Sequence, residues 1–179
     1  MKTTLLLVAM SYSTLVIAQE VKMPRNSNGQ IEYSEIIEID SLPSVQLYSN
    51  SKMFVNTTFN AGKSIGQIKD DKAKTIITKG SIPVTIEVDK GEYLTAKSIF
   101  TVVIQSKNGK YRYSINNLFF AFTEDTGITT YASFDDRRGV HMSKKQWLDV
   151  ETQTHEFITF FIENLKERMK EMDLSTAKL

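Results

Sequence analysis

The chain has 179 residues, no cysteine, 41% hydrophobic side chains, and 22 Lys and Arg against 21 Asp and Glu. The absence of thiols excludes a disulfide framework and thiolate metal sites, and the balanced charge gives no long-range pull toward a polyanion such as nucleic acid. A single domain of this size buries about 70% of the surface its unfolded chain exposes, so its core needs no covalent staple.

Residues 1–18 combine Lys2 with an apolar run from Leu5 to Met10, resumed at Leu15 and ending in Val16-Ile17-Ala18. This is the pattern of a secretory signal peptide cut before Gln19. Ser11, Tyr12, Ser13 and Thr14 interrupt the run, leaving it short of the ~20 apolar residues that a membrane span requires. No cysteine follows the cut to accept a lipid, and no later segment is apolar enough to cross a bilayer. The expected product is exported, periplasmic or secreted, and losing Lys2 leaves it with no net charge.

Residues 19–30 are polar, with Pro24 and Gly29, and read as a flexible lead-in. From Ile31 the pattern alternates, with Ile31, Tyr33, Ile37 and Ile39 on one side and Glu32, Ser34, Glu38 and Asp40 on the other, as in a half-buried strand. Ser41 then fits a helix N-cap, and Pro43 is tolerated in the first turn, where its missing N–H would have no partner. Apolar residues Val45, Leu47, Tyr48, Phe54, Val55 and Phe59 predict a helix over about 42–59, stopped by Asn60-Ala61-Gly62.

From Ser64 to about Thr123 the period falls to two, with breaks at Asp70-Asp71, Gly80, Asp89-Lys90-Gly91 and Asn108-Gly109, which predicts an antiparallel meander. The stretch VIQSKNGKYRYS reads as a hairpin around a two-residue type I′ turn at Asn108-Gly109. That turn opposes Ile104 to Tyr113 and Val102 to Ile115 on an apolar face. Thr101, Val103, Gln105, Arg112, Ser114 and Asn116 fall on the other face and are the candidate binding residues. Tyr113→Asp should therefore unfold the domain, whereas Ser114→Asp should be tolerated.

Residues 123–143 are less regular. Ser143 with Gln146 fits a capping box, and apolar residues from Val150 to Met172 hold helical spacing, leaving 173–179 as a frayed tail. The order strand, helix, four strands, helix implies one α+β domain over 31–172. In it an antiparallel sheet of about five strands carries both helices on one face and leaves the other open and polar.

Catalytic fragments are weak. Ala61-Gly62-Lys63-Ser64 lacks the first glycine of a phosphate-binding loop and has its flanking elements in the wrong order. Asp125-Thr126-Gly127 occurs once, whereas aspartic proteases need two such aspartates sharing a proton. His155-Glu156 has no second histidine at helical spacing, so no metal or other cofactor is expected. Asn56-Thr57-Thr58 is formally a glycosylation sequon, but it sits on a predicted helix. Lys107, Lys110 and Arg112, with Tyr111 and Tyr113, read as a solvated hairpin tip.

Gly29-Gln30-Ile31-Glu32-Tyr33, the Leu47-Tyr48 and Met53-Phe54 pairs, Lys79-Gly80 and, above all, Lys107-Asn108-Gly109-Lys110-Tyr111-Arg112-Tyr113 resemble a bacterial secreted domain of unknown function with a TATA-binding-protein-like (TBP-like) fold. The resemblance runs from about residue 31 to 122. It implies the same layer order, export from Gram-negative bacteria of the Bacteroides group, and no assigned activity. The expected function is a non-enzymatic module that docks an unknown envelope protein or cell-surface polymer, not nucleic acid, through its open sheet face or a sheet edge. The alternative is a hydrolase drawing on Asp125, Asp135, Asp136 and His141.

Overall fold

The computed structural model describes residues 21–59, 67–123, 127–136 and 142–171. Its elements are β1 (Tyr33–Glu38), α1 (Ser44–Phe59), β2 (Gln67–Asp70), β3 (Thr75–Asp89), β4 (Glu92–Lys107), β5 (Lys110–Thr123), β6 (Thr129–Ser133) and α2 (Lys144–Met169). The strands form one six-stranded antiparallel sheet in the order β1-β5-β4-β3-β2, with β6 also paired to β5. The two-layer α+β architecture is as expected, with one strand more. No described helix is long and apolar enough to cross a membrane.

Strand alternation produces the core. Ile76, Ile82, Val84 and Ile86 of β3, Phe100, Val102 and Ile104 of β4, and Tyr111, Tyr113 and Ile115 of β5 are buried beneath the helices. A uniform alternation along β5 would then send Phe119 inward. Instead the β4–β5 register shifts between Ile99 and Thr101, and Asn117 adopts a positive φ of 51°, which asparagine tolerates better than most residues. Beyond this bulge Leu118 and Phe120 take the inward positions, and Phe119 turns to the open face.

From the helical layer, Phe161 of α2 reaches Phe54 in an edge-to-face contact at 5.0 Å and Phe59 at 5.5 Å, and stacks on Phe157 at 6.4 Å. Phe100 links this cluster to the sheet through Phe59 and Phe157. Thr154, which interrupts the apolar stripe of α2, donates to the Val150 carbonyl and meets the Ser98 hydroxyl at 2.7 Å, so its burial leaves no polar group unsatisfied.

The expected break at Gly80 does not occur, because β3 runs through it. Gly80 lies opposite Phe100, and a Cβ there would fall 2.5 Å from the Phe100 ring and 2.8 Å from the Phe59 ring. The glycine makes room for two rings within the strand. Gly80→Ala is expected to cost about 1–3 kcal/mol through overpacking. Urea denaturation measures this, and an unchanged midpoint would show that the rings have space to retreat.

The hairpin register is as expected, with Ile104 opposite Tyr113 and Lys107 opposite Lys110. Its turn is not type I′, because only Gly109, at φ 73°, has positive φ. The backbone signs are those of a type II turn. The same turn docks onto the loop before α1: Gly109 N–H donates to the Leu42 carbonyl, Ile39 N–H donates to the Gly109 carbonyl, and Asn108 Oδ1 accepts from Ser44 N–H at 2.9 Å. Asn108, not Ser41, therefore supplies the side-chain acceptor at the start of α1. At α2 the Ser143–Gln146 capping box is present as expected.

The lead-in is pinned rather than free from residue 21 onward. Met23 and Ile31 are buried in the core, a turn closes over Asn26–Gly29, and Asp135 Oδ1 accepts from Ile31 N–H at 2.7 Å and from Arg25 at 3.2 Å. The 123–143 segment likewise contributes β6, whose Ser133 and Ala132 oppose Phe119 and Phe120 of β5.

The outer edge of β3 is covered where β2 stops. Gln153 of α2 behaves as a one-residue strand, accepting from Thr85 N–H at 2.9 Å and donating to the Thr85 carbonyl at 2.8 Å. Gln146 Nε2 donates to the Glu87 carbonyl, and Pro83 has no N–H to offer.

Candidate functional site

Both helices pack on one face of the sheet, and the other face is the candidate site. Cross-strand register sets its rows: Ser34, Ser114, Val103 and Ile77 form one, and Ile36, Arg112, Gln105 and Thr75 the next. Of the six expected residues, Gln105 and Arg112 are exposed, and Thr101, Val103 and Asn116 are half-buried. Ser114 is buried, at 7% exposure.

Ser114 is buried because it belongs to a polar network. Its hydroxyl donates to Glu32 Oε1 at 2.7 Å and accepts from Asn116 Nδ2 at 3.0 Å, while Asn26 Nδ2 donates to Glu32 Oε2 at 3.1 Å. Arg112 approaches Glu32 at only 3.9 Å. The Ser114 hydroxyl first, then the Asn26 amide, holds the Glu32 carboxyl below its ordinary range, partial burial opposes this, and Arg112 adds a smaller pull downward. The tolerance expected for Ser114→Asp therefore does not hold, because it would set a second carboxylate against Glu32.

The face is less polar than its sequence pattern implied. Ile36, Ile68, Ile77, Phe119 and Tyr131 are exposed on it. A groove of 390 Å³ is lined by Ser81, Thr95, Lys97, Ile99, Ala121 and Tyr131, among others. Sequence reasoning missed Phe119 and Tyr131 because the bulge at Asn117 and strand β6 decide their direction. Ile36 and Ile77 were legible from strand parity alone.

One further cluster borders the helical layer. Glu35 points toward α2 and pairs with Lys166 at 2.6 Å while accepting from the Tyr113 hydroxyl at 3.0 Å. Lys166 first, against partial desolvation and aided by Tyr113, lowers the Glu35 pKa. Burial, reinforced by Glu35, holds the Tyr113 hydroxyl well above its ordinary value. Glu32 and Glu35, with pKa values depressed from 4.5, favour the folded state above about pH 4.5, and that contribution is lost as pH falls through their folded values. The acid limb of the stability curve is expected to flatten in a Glu32→Gln, Glu35→Gln double variant, as read by chemical denaturation from pH 6 to pH 3; an unchanged limb would contradict these assignments.

Of the hydrolase residues, Asp125 and His141 lie outside the described residues, as do Ala61-Gly62-Lys63-Ser64 and Thr126. Asp135 spends its carboxylate on Ile31 N–H and Arg25, and Asp136 closes a bridge to Ser133. His155 Nδ1 shares a 2.8 Å hydrogen bond with the Tyr33 hydroxyl. Among the described residues no group of three or more His, Asp or Glu side chains is placed to hold a metal ion.

Known proteins place this architecture. A DUF4468 family protein from Bacteroides ovatus ATCC 8483 superposes with a TM-score of 0.66 at 12% identity, over 84% of this chain and 92% of its own. A TBP-like protein from Parabacteroides distasonis ATCC 8503 gives 0.65 at 11% identity, over 83% and 97%. At these identities the likeness concerns the fold, and no curated protein matches the chain. The family model described as a domain of unknown function (DUF4468) with TBP-like fold matches residues 33–121, which span β1 through most of β5, and through this segment the chain belongs to the DUF4468 family.

Proposed function

We propose that the protein is an exported, non-enzymatic module that docks an envelope protein or cell-surface polymer through the open face of its sheet. The observation that carries this reading is the unequal treatment of the two faces. The helices bury most of one face, leaving Leu94 at its far end exposed, while the other exposes Ile36, Ile77, Phe119 and Tyr131 on four different strands. Exposed apolar groups that form a patch mark interaction surfaces, whereas single scattered ones are ordinary. Five strand widths at ~4.8 Å spacing, with β1 and β6 sharing one beside β5, and runs of about nine residues make a face of roughly 700 Å², close to the ~800 Å² that each partner contributes to a stable interface. Strand addition along β3 is disfavoured, because Gln153, Gln146 and Pro83 already occupy or remove its outer main-chain groups.

A photocrosslinking residue placed at Phe119 or Tyr131 in cells is expected to capture one common partner, and the same residue at Phe160, an exposed apolar position on α2, is expected not to. Capture from Phe160 alone, or from none of the three, would sink the docking reading. Export rests on the pattern of residues 1–18. N-terminal sequencing of protein purified from its native cells should find Gln19 first, and a chain retaining Met1 in the cytoplasm would contradict it.

A further inference from the structure

The balanced total charge conceals a segregation on the open face. Its outward positions on the central stretches of β3 (75–85), β4 (95–107), β5 (110–123) and β6 (129–133) carry five cations, Lys79, Lys97, Lys107, Lys110 and Arg112, and no carboxylate; Glu87, Asp89 and Glu92 lie beyond them at the β3–β4 turn, Glu87 paired with Lys145. The other described carboxylates of this face stand at its flanks: Glu32 just before β1, Glu38 at the end of β1, and Asp70 on β2.

Three of the five cations converge on one place. A hollow of 240 Å³ is lined by Ile36, Gln105, Lys107, Lys110, Tyr111 and Arg112. Lys107 stands directly opposite Lys110, and Gln105 opposite Arg112, with Ile36 on the far side of Arg112. Like charges in directly opposed positions destabilise a sheet. Glu38 stands across from Lys110 and offsets part of this repulsion, but neither lysine has an ion pair within 4.0 Å among the described residues. Arg112 has only its 3.9 Å approach to Glu32, whose oxygens already accept from Ser114 and Asn26. The Gln105 amide is likewise uncommitted. Two ammonium groups, a guanidinium fork and an amide thus share a hollow with their donors unspent.

We infer that this hollow is a binding site for a terminal phosphoryl group, with Ile36 as an apolar wall for the carbon skeleton that carries it. A single carboxylate would satisfy the guanidinium and leave the two lysines repelling each other. A phosphate monoester brings close to two negative charges and three acceptor oxygens at neutral pH, enough to bridge both lysines and the guanidinium together. The remaining cations, Lys79 and Lys97, add to a field that draws an anion toward the face. The site shares Ile36 with the proposed docking face, but phosphate binding and partner capture are read separately, so either assignment can fail without the other.

The test uses the folded chain from Gln19 onward, labelled with ¹⁵N and titrated with inorganic phosphate at constant ionic strength. Saturable shifts are expected at the Gln105 side-chain amide, at Lys107 to Arg112 and at Ile36. Arg112→Gln and Lys110→Gln should each weaken binding by about tenfold or more, as loss of a charge-assisted hydrogen bond implies, with the melting temperature unchanged. Acetate at the same ionic strength should produce no saturable response. Vesicles of phosphatidic acid in phosphatidylcholine separate the sources: retention assigns the phosphoryl group to a lipid headgroup, and free-phosphate saturation without retention assigns it to a soluble ligand. Shifts that do not saturate, that spread equally to Lys52 and Lys166, or that acetate reproduces would overturn the site.

Discussion

Replacing Phe161 with alanine is expected to destabilise the domain by about 3–5 kcal/mol, as large-to-small changes of a buried aromatic do. Phe161 is 2% exposed and is the hub at which α1, α2 and, through Phe59 and Phe157, the Phe100 ring of β4 meet. Its removal takes away buried area and also leaves a void between the two helices, which remain held apart by contacts such as Asn50 and Ser51 to Met169. Whole-domain stabilities are commonly about 5–15 kcal/mol, so this one change removes a large fraction. Equilibrium urea unfolding followed by circular dichroism gives the number. A loss below about 1 kcal/mol would mean that α2 is not held by this cluster.

Tyr113→Asp is the second large effect, and it tests which way the sheet faces. Tyr113 is 4% exposed, lies opposite Glu35 and donates its hydroxyl to that carboxylate. Aspartate there removes a donor, creates a cavity and puts a second carboxyl beside Glu35 in a poorly solvated place, where it must either protonate or remain charged at a cost of several kcal/mol. No cooperative folding transition is expected for this variant at 25 °C. Gln105→Asp, on the neighbouring strand but facing outward, should fall within about 0.5 kcal/mol of the parent. Similar outcomes for the two variants would mean that the faces are assigned wrongly.

The parts of this fold legible in the sequence are those governed by near neighbours. Ser143 and Gln146 announce the start of α2 because a capping box is complete within four residues, and Asn108-Gly109 sets the β4–β5 register because a two-residue loop leaves no choice. The features that escaped depend on distant partners. Gly80 has the composition of a break, but Phe100 and Phe59 turn it into a strand interior. Residues 21–30 look free until Asp135, more than a hundred positions away, fastens Ile31. The same holds for the site. Parity placed Gln105 and Arg112 outward correctly, but Ser114 is lost to the Glu32 network, and the bulge at Asn117 presents Phe119 to the open face. A residue-by-residue charge count could not show that five cations and no acid gather on the central stretch of the open face, since that gathering depends on strand pairing and register.

Gln153 has a consequence beyond the single chain. By holding both main-chain groups of Thr85, it denies the long third strand the template along which sheets of neighbouring molecules fuse. Crowded copies of this protein are thereby denied lateral growth along that stretch, and association through the open faces would set five like charges against their own images.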